Sequence, residues 1–175
     1  EPHPELLAFA DESAGSEVLD VGCGTGADSA RRAELGRTAT GTELHPDYVA
    51  RARERGVDAR VVDAGRIPFD DDSFDTVVAT CVFCSVADPV QGFKEAARVV
   101  RPDGSVLLLE HVRPINKVLG RAADYATVVT RRVFGFRSNR RTEENVSKAG
   151  LEIIEITATG VWREIVARSS STDQN

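Results

Sequence analysis

The sequence predicts an α/β fold, a three-layer sandwich whose seven-stranded, mostly parallel sheet ends in an antiparallel hairpin. Three observations carry this reading. Short apolar or β-branched runs alternate with helix-length stretches along most of the chain, which is the pattern of a doubly wound sheet. Glycines follow three of the helix-length stretches, at Gly36, Gly56 and Gly150, where a left-handed stop is wanted. The last two alternating runs are separated only by a short glycine turn, too little chain for a helical crossover.

The elements follow in order. Glu17–Val21 is a short apolar strand that runs into glycines, and Ala27–Leu35 reads as a helix stopped by Gly36. Thr38–Leu44 is the second strand. Pro46 then opens a helix over Asp47–Arg55, because proline suits the first helical position, and Gly56 ends it. Asp58–Val62 forms a third strand closing at Asp63, and Phe74–Val82 is the continuous apolar run of a strand buried on both faces. Asp88-Pro89 caps a helix to about Val100, Arg101-Pro102-Asp103-Gly104 reads as a turn, and Ser105–His111 is the fifth strand. Ile115–Phe134 looks helical and amphipathic, and Thr142–Ala149 is a further helix before Gly150. Leu151–Thr157 and Val161–Arg168 make the hairpin, and Ser169–Asn175 is a polar tail expected to fray.

Residues 1–175 are expected to form one domain, long enough to bury a core without disulfides. Hydrophobic residues are 41% and charged residues 29%, an ordinary balance for a soluble protein. No apolar run reaches the roughly 18–20 residues of a membrane span. The Glu-Pro-His-Pro-Glu opening is unlike a secretory leader, and three cysteines suit a reducing, cytoplasmic setting. With no methionine present, residue 1 is not expected to be a natural start, and a lid before the first strand is expected to be missing. A net charge of −6 argues against nucleic acid as a partner. The charge is uneven, however. Residues 113–141 hold eight basic side chains and one acid, Asp124.

Val18-Leu19-Asp20-Val21-Gly22-Cys23-Gly24-Thr25-Gly26 lies between the first strand and the first helix. Glycines there remove the Cβ atoms that would keep a ligand from the backbone, and the helix start offers free N–H groups. The loop alone also satisfies a dinucleotide pattern with Ala27 as its last position, so a nicotinamide-dependent oxidoreductase is the rival reading. Three acids separate the two. Asp20 can meet a cationic amino group and would repel a pyrophosphate. Glu43, at the end of the second strand, can accept both ribose hydroxyls, and Asp63, at the end of the third, can accept from an adenine amino group. An ammonium, a ribose and an adenine without phosphate are the parts of S-adenosylmethionine.

Together with Gly41-Thr42-Glu43-Leu44, Asp63-Ala64, Ile67-Pro68-Phe69, Ser73-Phe74-Asp75 and Arg101-Pro102-Asp103-Gly104, the loop resembles the class I, Rossmann-like S-adenosylmethionine-dependent methyltransferases. The resemblance runs nearly the whole length of the chain, and the closing hairpin is that family's usual ending. It implies that Gly22, Gly24 and Gly26 cradle the methionine part and Asp20 helps hold its amino group. It further implies that Glu43 binds the ribose, Leu44 covers an adenine face, Asp63 and Ala64 meet its edge, and Thr80 or Cys81 closes the pocket. The product would be S-adenosylhomocysteine. A catalytically silent module that binds the cofactor and serves as a partner or sensor stands as a further alternative.

Methyl transfer is an in-line displacement that needs the acceptor oriented and desolvated, and a general base only when the acceptor must lose a proton. His111 closes the fifth strand, where open α/β sheets bind substrates, and is the candidate base. The acceptor is expected near Phe83, Ser85 and His111. Cys81-Val82-Phe83-Cys84 has C-x-x-C spacing with Cys23 on the neighbouring strand, yet no histidine or fourth cysteine completes a set, so no metal is expected. His3 and His45 read as loop or cap residues. Val82-Phe83-Cys84-Ser85-Val86, Leu109-Glu110-His111-Val112-Arg113 and the stretch from Asn139 to Leu151 resemble a subgroup of small methyltransferases of phosphatidylethanolamine N-methyltransferase-like and quinone-biosynthesis-like kinds, which implies a small or lipid-like acceptor. Val128, Val129, Val133, Phe134 and Phe136 among Arg131, Arg132 and Arg137 suit peripheral contact with an anionic membrane through 113–141. They equally suit core residues beneath a solvated basic face.

Overall fold

The computed structural model describes residues 16–111, 139–159 and 162–169, together with helical positions at 121, 125–127, 130 and 132. Strands β1 (Glu17–Val21), β2 (Thr38–Glu43), β3 (Asp58–Val61), β4 (Phe74–Thr80), β5 (Val100–His111), β6 (Leu151–Thr159) and β7 (Trp162–Ser169) form one sheet in the order β3-β2-β1-β4-β5-β7-β6. Pairing is parallel from β3 through β5 and antiparallel at β5/β7 and β7/β6. Helices α1 (Ala27–Glu34), α2 (Pro46–Glu54), α3 (Pro89–Val99) and α4 (Thr142–Lys148) complete the described elements. The expected sheet, its order of direction and its closing hairpin are therefore all present.

Strand alternation sorts the core onto two faces. Leu19, Val21, Val77, Ala79, Val106 and Leu108 pack with Phe93, Ala96 and Val99 of α3 and Val146 of α4. Val18, Val78, Leu107 and Leu109 take the opposite face. Because both faces are covered, β4 and the inner part of β5 are almost continuously apolar, as the sequence suggested. The helix starts also follow from local chemistry: Pro89 opens α3, and the Asp88 side chain accepts the N–H of Gln91 at 3.1 Å.

Several boundaries differ from expectation, β4 among them, which ends at Thr80 rather than Val82. Arg101–Gly104 does not interrupt the strand but is an insertion within β5: Phe74 pairs with Val100 and Thr76 with Ser105. The Arg101 guanidinium holds the insertion down by pairing with Asp75, whose carboxylate also accepts the Glu17 N–H at 3.0 Å. β6 runs to Thr159 rather than Thr157, since the hairpin ladder continues to the Thr159–Trp162 pair. Ser169 ends β7 instead of starting a frayed tail, because it pairs with Leu151. The rest of that tail, and most of the predicted 115–134 helix, lie outside the described residues.

The order of strands reverses between β1 and β4, one leading outward to β2 and β3, the other to β5. Crevices at such a point, above the C-terminal strand ends, are where open α/β sheets take ligands. Here that crevice is occupied by the glycine loop, the ends of β2 and β3, and the chain after β4.

Candidate cofactor site

A cavity of about 810 Å³ opens at this point, within the range of small-molecule sites. Of the residues expected from sequence, Gly22, Glu43, Leu44, Asp63, Ala64, Cys81 and Ser85 line it. The glycine loop is built by the register of the strands beneath it. Cys23 donates its N–H to the Thr42 carbonyl at 2.9 Å, and Gly26 donates to the Cys23 carbonyl at 2.9 Å before α1 begins.

Glu43 is pre-oriented. Its Oε2 accepts the Gly24 N–H at 3.1 Å and its Oε1 accepts the His45 N–H at 3.0 Å. Each oxygen keeps a second lone pair for a ligand, so the carboxylate can accept two hydroxyl hydrogens without reorganising. Asp63 is held similarly, its Oδ1 accepting the Gly65 N–H at 2.8 Å. The field here is negative. Burial, with the Asp20 and Glu43 carboxylates adding in the same direction, pushes the Cys23 thiol up to about 12. Such surroundings favour a cationic ligand and disfavour a pyrophosphate.

Other predicted residues fall outside the cavity lining. Asp20 is buried on the sheet face of Val18, where its Oδ2 accepts from Ser29 Oγ at 2.6 Å and pairs with Arg32 Nη1 at 3.6 Å. Burial raises its carboxyl above the usual range, with Arg32 and Ser29 opposing that shift. Gly24 and Gly26 shape the loop rather than line the cavity. Thr80 ends β4 with its hydroxyl buried, and the cavity is met one residue later by Cys81, at φ 56°. Phe83, expected beside the acceptor, is 2% exposed and packs on Phe93 with ring centroids 3.9 Å apart. It belongs to the core because the chain after β4 turns it inward under Gly92. His111 ends β5 with its ring edge-to-face against Trp162 at 5.7 Å, and burial holds its imidazole below the usual value.

Some lining residues were not anticipated. Tyr48, on the first turn of α2, meets the His45 ring edge-on at 5.6 Å, and with the exposed Leu44 it gives the cavity an apolar rim. The signal was available, since an aromatic follows the β2 acid by five residues, in the first turn of the next helix. Val82, Val86 and Gln91 also line the cavity. The cysteines do not form a reactive cluster: burial lifts Cys81 to about 12 and Cys84 to about 11, so both stay thiols. Among the described residues, no group of three or more His, Cys, Asp or Glu side chains is placed to hold a metal ion.

Comparison with known proteins agrees with this geometry. A family model described as a methyltransferase domain matches residues 19–108, just over half of the chain. The methyltransferase GfsG of Streptomyces halstedii is 36% identical over 171 aligned residues, covering 87% of this chain and 59% of that protein. The demethylmenaquinone methyltransferase of Mycobacterium sp. (strain JLS) is 34% identical over 103 residues, covering 59% of this chain and 45% of that protein. The solved structure of the cyclase SpnF superposes with a TM-score of 0.71 at 29% identity, covering 87% of this chain and 58% of that one. The chain thus spans between 45% and 59% of the length of these three proteins. With β1 and its glycine loop, the Glu43 carboxylate and the β5-β7-β6 ending all in place, the chain belongs to the class I S-adenosylmethionine-dependent methyltransferase family.

Proposed function

We propose that the chain binds S-adenosylmethionine in the cavity above β1 and β2 and transfers its methyl group to a small, hydrophobic, lipid-like acceptor. The observation that carries this reading is the pre-oriented Glu43 carboxylate at the mouth of β2, in surroundings made negative by Asp20 and Glu43. Glu43 would accept the ribose hydroxyls. Leu44 and Tyr48 would cover the base, Asp63 and Ala64 would meet its edge, and Gly22 would let the amino acid part approach the backbone. When bound, the cofactor supplies an electrophilic methyl group on a sulfonium centre. The chain's own task is then to orient the acceptor and exclude water, and Cys81, Ser85 and Val86 are the lining residues placed after β4 to do so.

A quinone-like acceptor is supported by the similarity to demethylmenaquinone methyltransferases. His111 has the protonation state a base needs near neutral pH, but it does not line the cavity, so no proton step is assigned to it. Peripheral contact with anionic lipid through 113–141 rests on charge and apolar pattern alone. Among the described residues, no helix is long and apolar enough to cross a membrane. A second reading, cofactor binding without methyl transfer, is favoured by one comparison, because SpnF shares the fold and is named a cyclase.

Calorimetric titration tests the cofactor. Heat with S-adenosylhomocysteine and none with NADH is expected; the reverse result returns the chain to the oxidoreductase reading. Tritiated-methyl transfer to demethylated naphthoquinols then separates an active enzyme from a silent binder. Co-sedimentation with anionic vesicles at low salt tests the lipid contact, and a chain left in the supernatant rules it out.

A further inference from the structure

β5 carries an acid that cofactor binding does not use. The Glu110 side chain is fully buried, on the sheet face of Val106 and Leu108. Its Oε1 accepts the N–H groups of Val82 and Phe83, each at 2.9 Å, and its Oε2 accepts that of Cys84 at 3.1 Å. Three consecutive N–H groups thus converge on one carboxylate. Cys81, just before them, has φ 56° and donates its own N–H to the Leu109 carbonyl at 2.8 Å, which swings the chain over the acid. The carbonyls of the same loop are gripped from elsewhere: Arg140, also buried, donates Nε–H to the Cys84 carbonyl at 3.4 Å and Nη2–H to the Val86 carbonyl. Two buried charges of opposite sign therefore meet through the peptide groups of residues 82–86.

That loop is the cavity wall after β4, contributing Cys81, Val82, Ser85 and Val86 to the lining. It also sets the spacing to the glycine loop, since the Val82 side chain lies 2.4 Å from where a Cβ on Gly22 would stand. We infer that Glu110, working with Arg140, is the positioning residue of the cofactor cavity, and that protonating its carboxylate loosens the 82–86 wall and weakens cofactor binding. The inference rests on the cofactor reading above for its ligand, and on the hydrogen-bond geometry alone for the latch.

Among the described residues around Glu110, the carboxyl itself is the group placed to titrate near neutrality. Burial pushes its carboxyl up to about 7, against the pull of the Phe83, Val82 and Cys84 N–H groups. The Cys81 and Cys84 thiols stay protonated throughout. Arg140 is a permanent cation. Arg163 faces Glu110 across the β5/β7 register and is itself engaged by Glu143 of α4 at 3.1 Å. His111, next along the strand, is held below its usual 6.5 by burial. An ionised carboxylate accepts all three N–H groups, whereas a neutral carboxyl is a weaker acceptor and carries a hydrogen of its own. Global stability runs the other way. A raised carboxyl favours the fold at low pH, and that contribution is lost as pH rises through about 7. Binding and stability should therefore move in opposite directions, which a merely structural acid would not produce.

The experiment follows the backbone amide shifts of Val82, Phe83 and Cys84 in the whole chain between about pH 5.5 and 8.5, spanning the ordinary histidine and raised carboxyl ranges. Calorimetric binding of S-adenosylhomocysteine and thermal melting are measured alongside. The three amides are expected to move together with a midpoint near 7. In Glu110→Gln they should not titrate. S-adenosylhomocysteine should bind the wild type about tenfold more weakly at the acid end, the loss expected when charge-assisted bonds are weakened. Glu110→Gln should show that weakened binding at every pH while melting no lower than wild type at the alkaline end, and Glu110→Asp should restore part of the pH dependence. Flat wild-type shifts, or a Glu110→Gln variant that melts lower yet binds normally, would overturn the inference. If Glu110→Gln does not fold, the wild-type pH series decides. If wild type gives no heat with S-adenosylhomocysteine at any pH, the cofactor reading fails instead, and the amide titration still tests the latch.

Discussion

Two glycines of the same loop should fail in different ways when given a methyl group. Gly24 and Gly26 both have left-handed backbones, at φ 55° and 78°. Forcing alanine into that region costs about 1–2 kcal/mol at either position. At Gly26 the new Cβ would also stand 2.8 Å from the Ala52 Cβ, 3.0 Å from the Ala52 backbone and 3.1 Å from Val57, where α2 leans on the loop. Backbone cannot rotate away, so overpacking adds about 1–3 kcal/mol there. At Gly24 nothing lies within 4 Å, and the methyl would enter open space beside the N–H that Glu43 accepts. Gly26→Ala is therefore expected to lose about 2–5 kcal/mol of stability, and Gly24→Ala only about 1–2 kcal/mol. In urea that difference separates the two midpoints by roughly 1 M. Binding should rank in the opposite sense. The Gly24→Ala variant should keep its fold yet lose S-adenosylhomocysteine affinity, measured by calorimetry on the folded protein. Equal midpoint shifts, or a Gly24→Ala variant that binds like wild type, would show that the loop does not divide its labour in this way.

Further substitutions test the buried pairs. Asp20→Asn should cost about 3–5 kcal/mol by stranding the buried Arg32 cation, and adding Arg32→Leu should recover much of it. Were Asp20 only a ligand contact, urea unfolding would show little change for the single variant while cofactor affinity fell. Glu43→Ala should abolish S-adenosylhomocysteine binding in calorimetry; normal binding would remove Glu43 from the ribose. Asp75 is held below the usual carboxylate range, chiefly by the Glu17 N–H and then by Arg101. Its contribution is thus present above the unfolded value of 3.8 and lost as pH falls through the lower folded one. Wild type and Asp75→Asn should accordingly differ in melting temperature at neutral pH and converge in acid, and a constant gap at all pH values would contradict that origin.

Much of the fold could be read before any coordinates, for reasons visible in particular elements. β1 and β4 are apolar runs because both their faces are covered, and Gly36, Gly56 and Gly150 take left-handed backbones immediately after helices. Glu43 and Asp63 could be located because a strand end fixes where a side chain emerges relative to the sheet. Periodicity also places a residue on one face of its own strand. It does not say what lies opposite, and the residues that turn away from the cavity lining all depend on that. Asp20 faces Ser29 and Arg32 of α1 instead of the cavity. Phe83 looked like a substrate contact because it follows β4, but the turn at Cys81 sends it beneath Gly92.

Glu110 marks the more general limit. It follows Leu107-Leu108-Leu109 in a strand buried on both sides, where an unpaired carboxylate would be too costly to keep. The sequence therefore contained a demand for compensation at that position, but not its source. The source turned out to be three backbone N–H groups 26 to 28 residues earlier, and main-chain donors leave no trace in side-chain identity. A buried acid satisfied by backbone is invisible to motif reading, because any residues could supply the N–H groups at 82–84. Where an acid interrupts an apolar strand next to a ligand-bearing loop, the loop's own peptide groups are thus the first place to look for its partner.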